Sequence, residues 1–319
     1  MKSDTDFQTW RWTPETLPIS AVIPTYNRGA LAARAVASAL RQTRRPAEII
    51  VVDDGSRDDT RARLARFGAQ VRYIYQDNAG SAAARNHGLR VAAHPWVALL
   101  DSDDAWTETH LENMARAICA TAGAATIYFA DTLEPPDKGG GLLWTKLGFT
   151  IDGPYCLAAD GSDWVLMERQ PIMLQSTVFS REAFWAAGGF LPALRYRDDT
   201  HLFLKLGLGR PVCAVAGCGV AMTSDDAPAN RLTLTYDDQA RGVRMQVIMN
   251  RDLLRSLPHL PPPTRRLLRR RLADAHRGLA RAAWRSRRPW TAAWQAAQSA
   301  WVDPRVFAQR VFVKLTRAG

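Results

Sequence analysis

From residue 19 onward, short apolar runs alternate with longer segments whose apolar positions recur at helical spacing. The runs lie at 19–24, 48–52, 71–75 and 96–101, and the helix-like stretches between them at 30–42, 59–67 and 81–93. This alternation predicts βαβ units around a mostly parallel central sheet, an α/β fold. Because such crossovers are right-handed, all four runs point their C-terminal ends to one edge, which is where open α/β sheets bind ligands. That edge would gather Thr25, Tyr26, Asn27, Asp53, Asp54, Asp101, Asp103 and Asp104. Beyond Thr109 the pattern predicts a helix, a strand at 126–130, and a Pro/Gly-rich stretch at 135–141 that reads as a flexible insertion. A strand-like run at 173–180, a short helix from Arg181, the turn Gly188-Gly189 and a helix containing Asp198-Asp199 follow.

The C-terminal part has a different pattern. At 100° per residue, Arg266, Arg270, Arg277, Arg281 and Arg288 fall within about 60° of one another, with Leu268, Leu272, Ala275 and Leu279 opposite. Pro289 ends this basic amphipathic helix, and a second helix would set Trp290, Trp294 and Trp301 on one stripe, continued after Pro304 by Phe307, Val311 and Leu315. The pattern therefore divides the chain into a domain at 15–235 and a basic amphipathic helical extension at 236–319.

Charge sets off the end of this extension. The net charge of +11 separates into 27 Lys and Arg against 29 Asp and Glu over residues 1–254, and 15 against 2 over 255–319. A near-neutral body carries a basic tail. Three readings of the tail stand at this point: packing on the body or on a second protomer, lying on anionic lipid, or binding nucleic acid. The last is disfavoured because no recognised nucleic-acid module accompanies the charge.

Composition narrows the class further. With 319 residues, 47% hydrophobic and 23% charged, the chain is globular rather than disordered or fibrous. No apolar run is long enough for a membrane-spanning helix, and the first twelve residues lack the apolar stretch of a secretion signal, so a cytoplasmic location is expected. Cys119, Cys156, Cys213 and Cys218 form no Cys-x-x-Cys pair, which fits reduced thiols better than disulfides or zinc.

Two acidic loops carry the chemistry. Asp101-Ser102-Asp103-Asp104 follows an apolar run, and three adjacent carboxylates repel unless a cation lies among them. All-oxygen ligation suits Mg²⁺ or Mn²⁺, which take one or two protein carboxylates and complete their shell with phosphate oxygens and water. The same residues could equally solvate the loop and cap the next helix. Asp53-Asp54-Gly55-Ser56 ends another run; its glycine permits a sharp turn, and its carboxylates could cap a helix or accept hydrogen bonds from a nucleotide base or ribose.

Together these segments resemble a family. Ala21-Val22-Ile23-Pro24-Thr25-Tyr26-Asn27-Arg28, Val51-Val52-Asp53-Asp54-Gly55-Ser56, Asn78-Ala79-Gly80 leading to Ala84-Arg85-Asn86-His87-Gly88, and Leu99-Leu100-Asp101-Ser102-Asp103-Asp104 are similar to the inverting glycosyltransferases of family 2, which have the GT-A fold. Gln175-Ser176-Thr177-Val178-Phe179, Gly188-Gly189-Phe190 and Arg197-Asp198-Asp199 extend the resemblance over residues 18–222. The resemblance implies that Thr25 and Asp54 contact the nucleotide base with Asp53 close by. It implies that Asp101 and Asp103 form the Asp-x-Asp motif, the first near the ribose and the second ligating Mn²⁺ or Mg²⁺ at the diphosphate. Arg85 would meet the pyrophosphate or hold the acidic loops. Asp199 would be the general base, with Asp198 and His201 on the acceptor side.

There are departures. Asp198 stands where the family usually has Glu, and His201 where it often has an acidic residue. The His-containing loop that many members carry after the last core strand has no clear counterpart at 223–233, and the Gln-x-x-Arg-Trp motif of processive synthases is missing. The expected function is metal-dependent, inverting, non-processive transfer of one sugar, hexosyltransferase in type. The donor would be a nucleotide-sugar, UDP-linked by resemblance, and the acceptor a glycan, glycolipid or glycoprotein hydroxyl in cell-surface glycan assembly. With the basic tail on anionic lipid, the enzyme would sit on the inner face of the membrane. The alternative is a catalytically silent GT-A scaffold, against which the retained Asp54, Asp101, Asp103 and Asp199 argue. A nucleotidyltransferase would need a Gly-rich phosphate loop that the N-terminal segment lacks.

Overall fold

A computed structural model of the protein describes residues 11–194, 197–223 and 239–304. The chain forms two compact units, Met1–Gly189 with Leu206–Ser224 and Phe190–Lys205 with Asp225–Gly319. The segment 190–205, which the sequence pattern assigns to the first domain, thus groups with the C-terminal helices.

In the first unit, β1 (Ile19–Thr25), α1 (Gly29–Leu40), β2 (Glu48–Asp53), α2 (Thr60–Ala65), β3 (Arg72–Tyr75), α3 (Ser81–Val91) and β4 (Trp96–Leu99) follow one another. The four strands are parallel in the order β3-β2-β1-β4, as the alternating pattern predicts. Every residue of β1 and β4 is buried, which explains why these strands read as continuous apolar runs. Helix α1 lies on the sheet through Ala32, Ala35, Val36 and Ala39, small side chains that permit close approach. Gly88 does the same for α3: a Cβ there would stand 2.4 Å from Val22 Cγ1 and 3.1 Å from Val52 Cγ2.

The remainder of the sheet is mixed, with one long parallel ladder among antiparallel pairs. It comprises β5 (Ala105–Trp106), α4 (His110–Ala120), β6 (Ile127–Glu134), β7 (Gly141–Leu142), α5 (Leu143–Leu147), β8 (Tyr155–Ala158), α6 (Ser162–Val165), β9 (Thr177–Ser180) and α7 (Arg181–Ala186); after α8 (Asp198–Gly207) comes β10 (Val212–Ala221). The order continues β4-β9-β6-β10-β5, with β7 on β6 and β8 on β10. β9 runs antiparallel to both β4 and β6, because it enters from a long irregular segment rather than from a crossover helix. The run expected as strand at 173–180 begins instead with a 3₁₀ turn, Leu174–Ser176, closed by hydroxyl-to-carbonyl bonds from Ser176 to Met173 and Thr177 to Leu174.

Within the stretch read as a flexible insertion, Pro136–Lys138 form a 3₁₀ turn and Gly141 pairs with Glu134 of β6; the chain that follows it is anchored by aromatic side chains. Trp144 donates its backbone N–H to Asp131 and its indole N–H to the Pro171 carbonyl, and its ring meets Phe129 and Phe149 edge-on. Trp164 joins the same cluster. All four cysteines carry free thiols, and burial pushes that of Cys213 up to about 12.

In the second unit, α8 begins at Asp198 and is followed by α9 (Gln239–Ser256), α10 (Pro262–Arg285) and α11 (Pro289–Val302). Pro289 starts α11, as the sequence predicts, after Arg287 turns the chain at φ 55°. Val247, Leu272 and Ala275 form a small core with Val243, Leu254, Leu279 and Val302 against it. Residues 224–233 and the tail positions Phe307, Val311 and Leu315 lie outside the described residues. No helix among the described residues is long and apolar enough to cross a membrane.

Candidate active site

Register determines what meets at the sheet edge. Thr25 pairs with Asp53 at the end of β1 and β2, and the Asp54 N–H continues the ladder to the Thr25 carbonyl. The β4 ladder runs out at Leu99, and Leu100 donates to Val22. Thr25, Asp53, Asp54, Asp101 and Asp103 therefore come to one end of three neighbouring strands, as their sequence positions predict.

The last residue of β2 and the one after it are committed to holding loops. Asp53, 1% exposed, accepts the Ser56 N–H at 2.8 Å and the Tyr73 hydroxyl at 2.6 Å. Asp54, 4% exposed, accepts from Gln76 Nε2 and the Ala79 N–H on one oxygen and the Gly80 N–H on the other. Its carboxylate thus tethers the turn at 76–80 that leads into α3. Gly55, at φ +89°, lies so close to Asn78 that a Cβ would come within 2.9 Å of its backbone nitrogen. Asn27 turns β1 into α1 at φ 51°. Its N–H donates to Ser56 Oγ and its side-chain oxygen accepts the Arg57 N–H, so the two edge loops are stitched together.

Thr25 differs from its neighbours. Its side chain is 3% exposed, and among the described residues its hydroxyl has no hydrogen-bond partner. A buried hydroxyl at a ligand-binding edge is suited to a donor or acceptor that a ligand brings.

The acidic loop after β4 is paired with arginines. Arg85 Nη2 meets Asp101 Oδ1 at 2.7 Å, and Arg28 Nη1 meets Asp103 Oδ2 at 2.7 Å. Arg34 donates to the Asp103 carbonyl and to Thr223 Oγ1, and Thr223 in turn donates its hydroxyl to the Asp103 carbonyl and its N–H to Asp104. Asp104 is 4% exposed; burial first, and then the charges of Asp103 and Asp101, raise its pKa well above the usual carboxylate range. Arg28, Arg34 and Thr223 were not assigned by sequence. Arg28 sits in the first motif, but its partner is 75 residues away, a separation no local pattern reveals.

Asp198, Asp199 and His201 belong to the second unit, at the start of α8. Arg197 precedes them at φ 58°, a left-handed conformation unusual for a residue with a side chain, and its carbonyl accepts the His201 N–H. The Asp199 carboxylate accepts the Thr200 N–H at 2.6 Å. His201 is turned inward rather than toward an acceptor: it is fully buried, with Nε2 2.9 Å from Asp252 Oδ2 on α9. Lys205 reaches the same oxygen at 2.9 Å. Burial, and secondarily Lys205, lower the His201 pKa to about 4, so the ring is neutral and donates to Asp252. Burial works against ionisation of Asp252, but the bond and charge of Lys205 and the hydrogen bond from His201 outweigh it and hold its pKa low. Sequence reasoning missed Asp252 because it lies in a helix read only as part of a basic extension.

The observed architecture is the GT-A fold. Residues 20–149 match the model of glycosyl transferase family 2, and that segment is a domain of this family. An uncharacterised glycosyltransferase of Rickettsia felis is 40% identical over 96 residues, 30% of this chain and 16% of that protein, so the chain spans only a small part of that relative's length. Among solved structures, the S. aureus TarS 1–349 complex with UDP-GlcNAc superposes with a TM-score of 0.59 at 16% identity, covering 82% of this chain and 72% of that one. Mannosyltransferase PcManGT of Pyrobaculum calidifontis, in complex with GDP-Man and Mn²⁺, gives 0.56 at 20% identity, covering 95% and 82%.

Among the described residues no three His, Cys, Asp or Glu side chains are grouped as a self-sufficient metal cage. Asp101 and Asp103 fit the other mode, in which one or two carboxylates hold an Mg²⁺ or Mn²⁺ ion whose remaining ligands are phosphate oxygens and water.

Proposed function

We propose that this protein is a glycosyltransferase that moves one sugar from a nucleotide-sugar donor to an acceptor hydroxyl, with inversion at the anomeric carbon. The observation that carries the reading is the edge at β1, β2 and β4, where Asp101 and Asp103 are each paired with an arginine beside the buried Thr25 hydroxyl. Paired carboxylates and guanidiniums suit a diphosphate: the arginines can bond its oxygens, and the freed carboxylates can share a cation with it.

In this reading Thr25 binds the nucleoside, while Asp53 and Asp54 shape the pocket by holding its loops. Arg28 and Arg85 orient the diphosphate. Asp103, with Asp101 beside it, would hold Mn²⁺ or Mg²⁺, which offsets the charge on the leaving diphosphate. Asp199 takes the proton from the acceptor hydroxyl as that oxygen forms its bond to the anomeric carbon. The bond to the diphosphate oxygen breaks on the opposite face and its electron pair leaves with the nucleotide. Asp198 borders the acceptor, and His201 acts through helix position. The UDP identity of the donor and transfer of a single sugar rest on the family resemblance.

Calorimetric titration with UDP, dTDP, GDP and CDP, each with and without Mn²⁺, tests pocket, metal and base choice together. Metal-dependent binding of one nucleotide is expected; failure of all four with folded protein would favour the silent scaffold. Asp199→Asn should abolish transfer and leave nucleotide binding within about twofold. Transfer at the normal rate in that variant would remove Asp199 from the role of base.

A further inference from the structure

The tryptophan stripe of α11 does not pack where an apolar stripe ordinarily packs. The side of α11 that is buried carries Ala292 and Ser299, and Ser299 donates its hydroxyl to the Ala273 carbonyl of α10. At 100° per residue, Trp290, Trp294 and Trp301 lie about 160–200° around the helix from Ala292. They are accordingly 88%, 63% and 82% exposed, and Trp284 near the end of α10 is 70% exposed. Exposed tryptophans on one helical hairpin form an apolar surface of a kind that soluble proteins rarely leave to water.

Beside this surface, α9, α10 and α11 enclose a groove of about 1050 Å³. Arg251, Arg255, Arg265 and Arg269 line it together with Trp294 and Trp301, over a floor that includes Val247, Leu254 and Leu272. No acidic residue is in its lining among the described residues. Over residues 239–304 there are fourteen arginines and three aspartates, and two of the three, Asp252 and Asp274, are engaged by Lys205 and Arg277.

We propose that this face docks on an anionic lipid bilayer, the guanidiniums meeting lipid phosphates and the tryptophans entering the interfacial layer. Each part of the surface finds a match there. Indole rings prefer the boundary between headgroup and hydrocarbon, where the ring is dry and the N–H is bonded. Arginines bind phosphate oxygens bidentately and are drawn to the negative leaflet. An acyl chain covers an apolar floor. A second copy of the chain would bring the same positive face against this one and be repelled. A nucleic acid would satisfy the arginines but leave the aliphatic floor uncovered. The proposal does not depend on sugar transfer, since lipid binding is read without donor or acceptor.

The test uses the full chain and sucrose-loaded vesicles of phosphatidylcholine alone or with about 30% phosphatidylglycerol, the anionic component on which the attraction depends. Expected are sedimentation with the anionic vesicles only, and quenching of tryptophan emission by brominated acyl chains in them. Replacing Arg251, Arg255, Arg265 and Arg269 together by Gln should weaken binding by roughly a thousandfold. As a second variant at exposed positions, Trp294→Ala with Trp301→Ala should cut both binding and quenching while leaving the circular-dichroism melting curve in place. Equal binding to neutral and anionic vesicles, or anionic binding unchanged in both variants, would overturn the proposal. So would concentration-dependent dimerisation in light scattering that buries these tryptophans without lipid, or tighter binding to single-stranded or duplex DNA than to the vesicles at equal salt.

Discussion

Thr25, Asp53 and Asp54 are neighbours at one strand end, yet the structure gives them different work. The two carboxylates accept several hydrogen bonds from the protein, whereas the Thr25 hydroxyl is buried without one among the described residues. Thr25→Val keeps the shape and removes only that hydroxyl. We expect unfolding free energy to stay level or rise by about 1 kcal/mol, since an unsatisfied polar group leaves the interior. Nucleotide affinity should fall by roughly tenfold for one lost hydrogen bond. Denaturant titration and calorimetry on the same preparation separate the two; a matched loss in both would make Thr25 a structural residue. The acidic loops were legible in sequence because the candidate residues are contiguous with apolar strands. Their arginine partners were not, since Arg28 and Asp103 meet only once the sheet is assembled.

At the scale of elements, periodicity located β1 to β4 and the helices between them, because both strand burial and crossover length leave local traces. It did not reveal the antiparallel β9, whose direction is set by the irregular chain leading into it, nor the packing of Trp144 and Trp164 beyond the Pro/Gly stretch. Close approach of elements is also a matter of single atoms. Gly88→Ala forces a Cβ to within 2.4 Å of Val22 unless α3 shifts. A loss of about 1–3 kcal/mol is expected from such overpacking, read as a lower urea midpoint. An unchanged midpoint would mean that α3 can slide freely on the sheet. In the second unit, Asp252 holds both His201 and Lys205, the latter only 3% exposed. Asp252→Ala strands a buried ammonium and should cost about 3 kcal/mol or more, with Asp252→Glu restoring part of it.

The whole molecule responds to acid through two buried histidines, one in each unit. His110, on which burial alone acts, has its pKa lowered to about 3, and His201 to about 4, both from an ordinary 6.5. Each is neutral in the native state and protonates near pH 6.5 once unfolded, so the unfolded state binds more protons below that pH. Their contribution is level above pH 6.5 and is lost as pH falls, by about 3 kcal/mol for each histidine between pH 6.5 and 4. Urea unfolding followed across this range should show the slope, and His110→Phe should reduce it in the first unit. A slope identical to the wild type would show that His110 titrates normally.

The grouping of residues 190–205 with the C-terminal helices changes how the gene can be divided. A cut near residue 235, natural from the sequence pattern, would separate α8 from α9 and so take Asp252 away from Lys205 and His201. The helix that opens with Asp198 and Asp199 would then carry an unpaired buried cation in its last turn. Loss of turnover in such a truncation would report damage to the helix bearing the proposed base, and would be mistaken for a need for the basic tail. Swapping tails between related proteins has the same trap: α9 holds α8 through Asp252 and shares a core with α10 through Val247, Leu272 and Ala275, so α8 to α11 must be exchanged together.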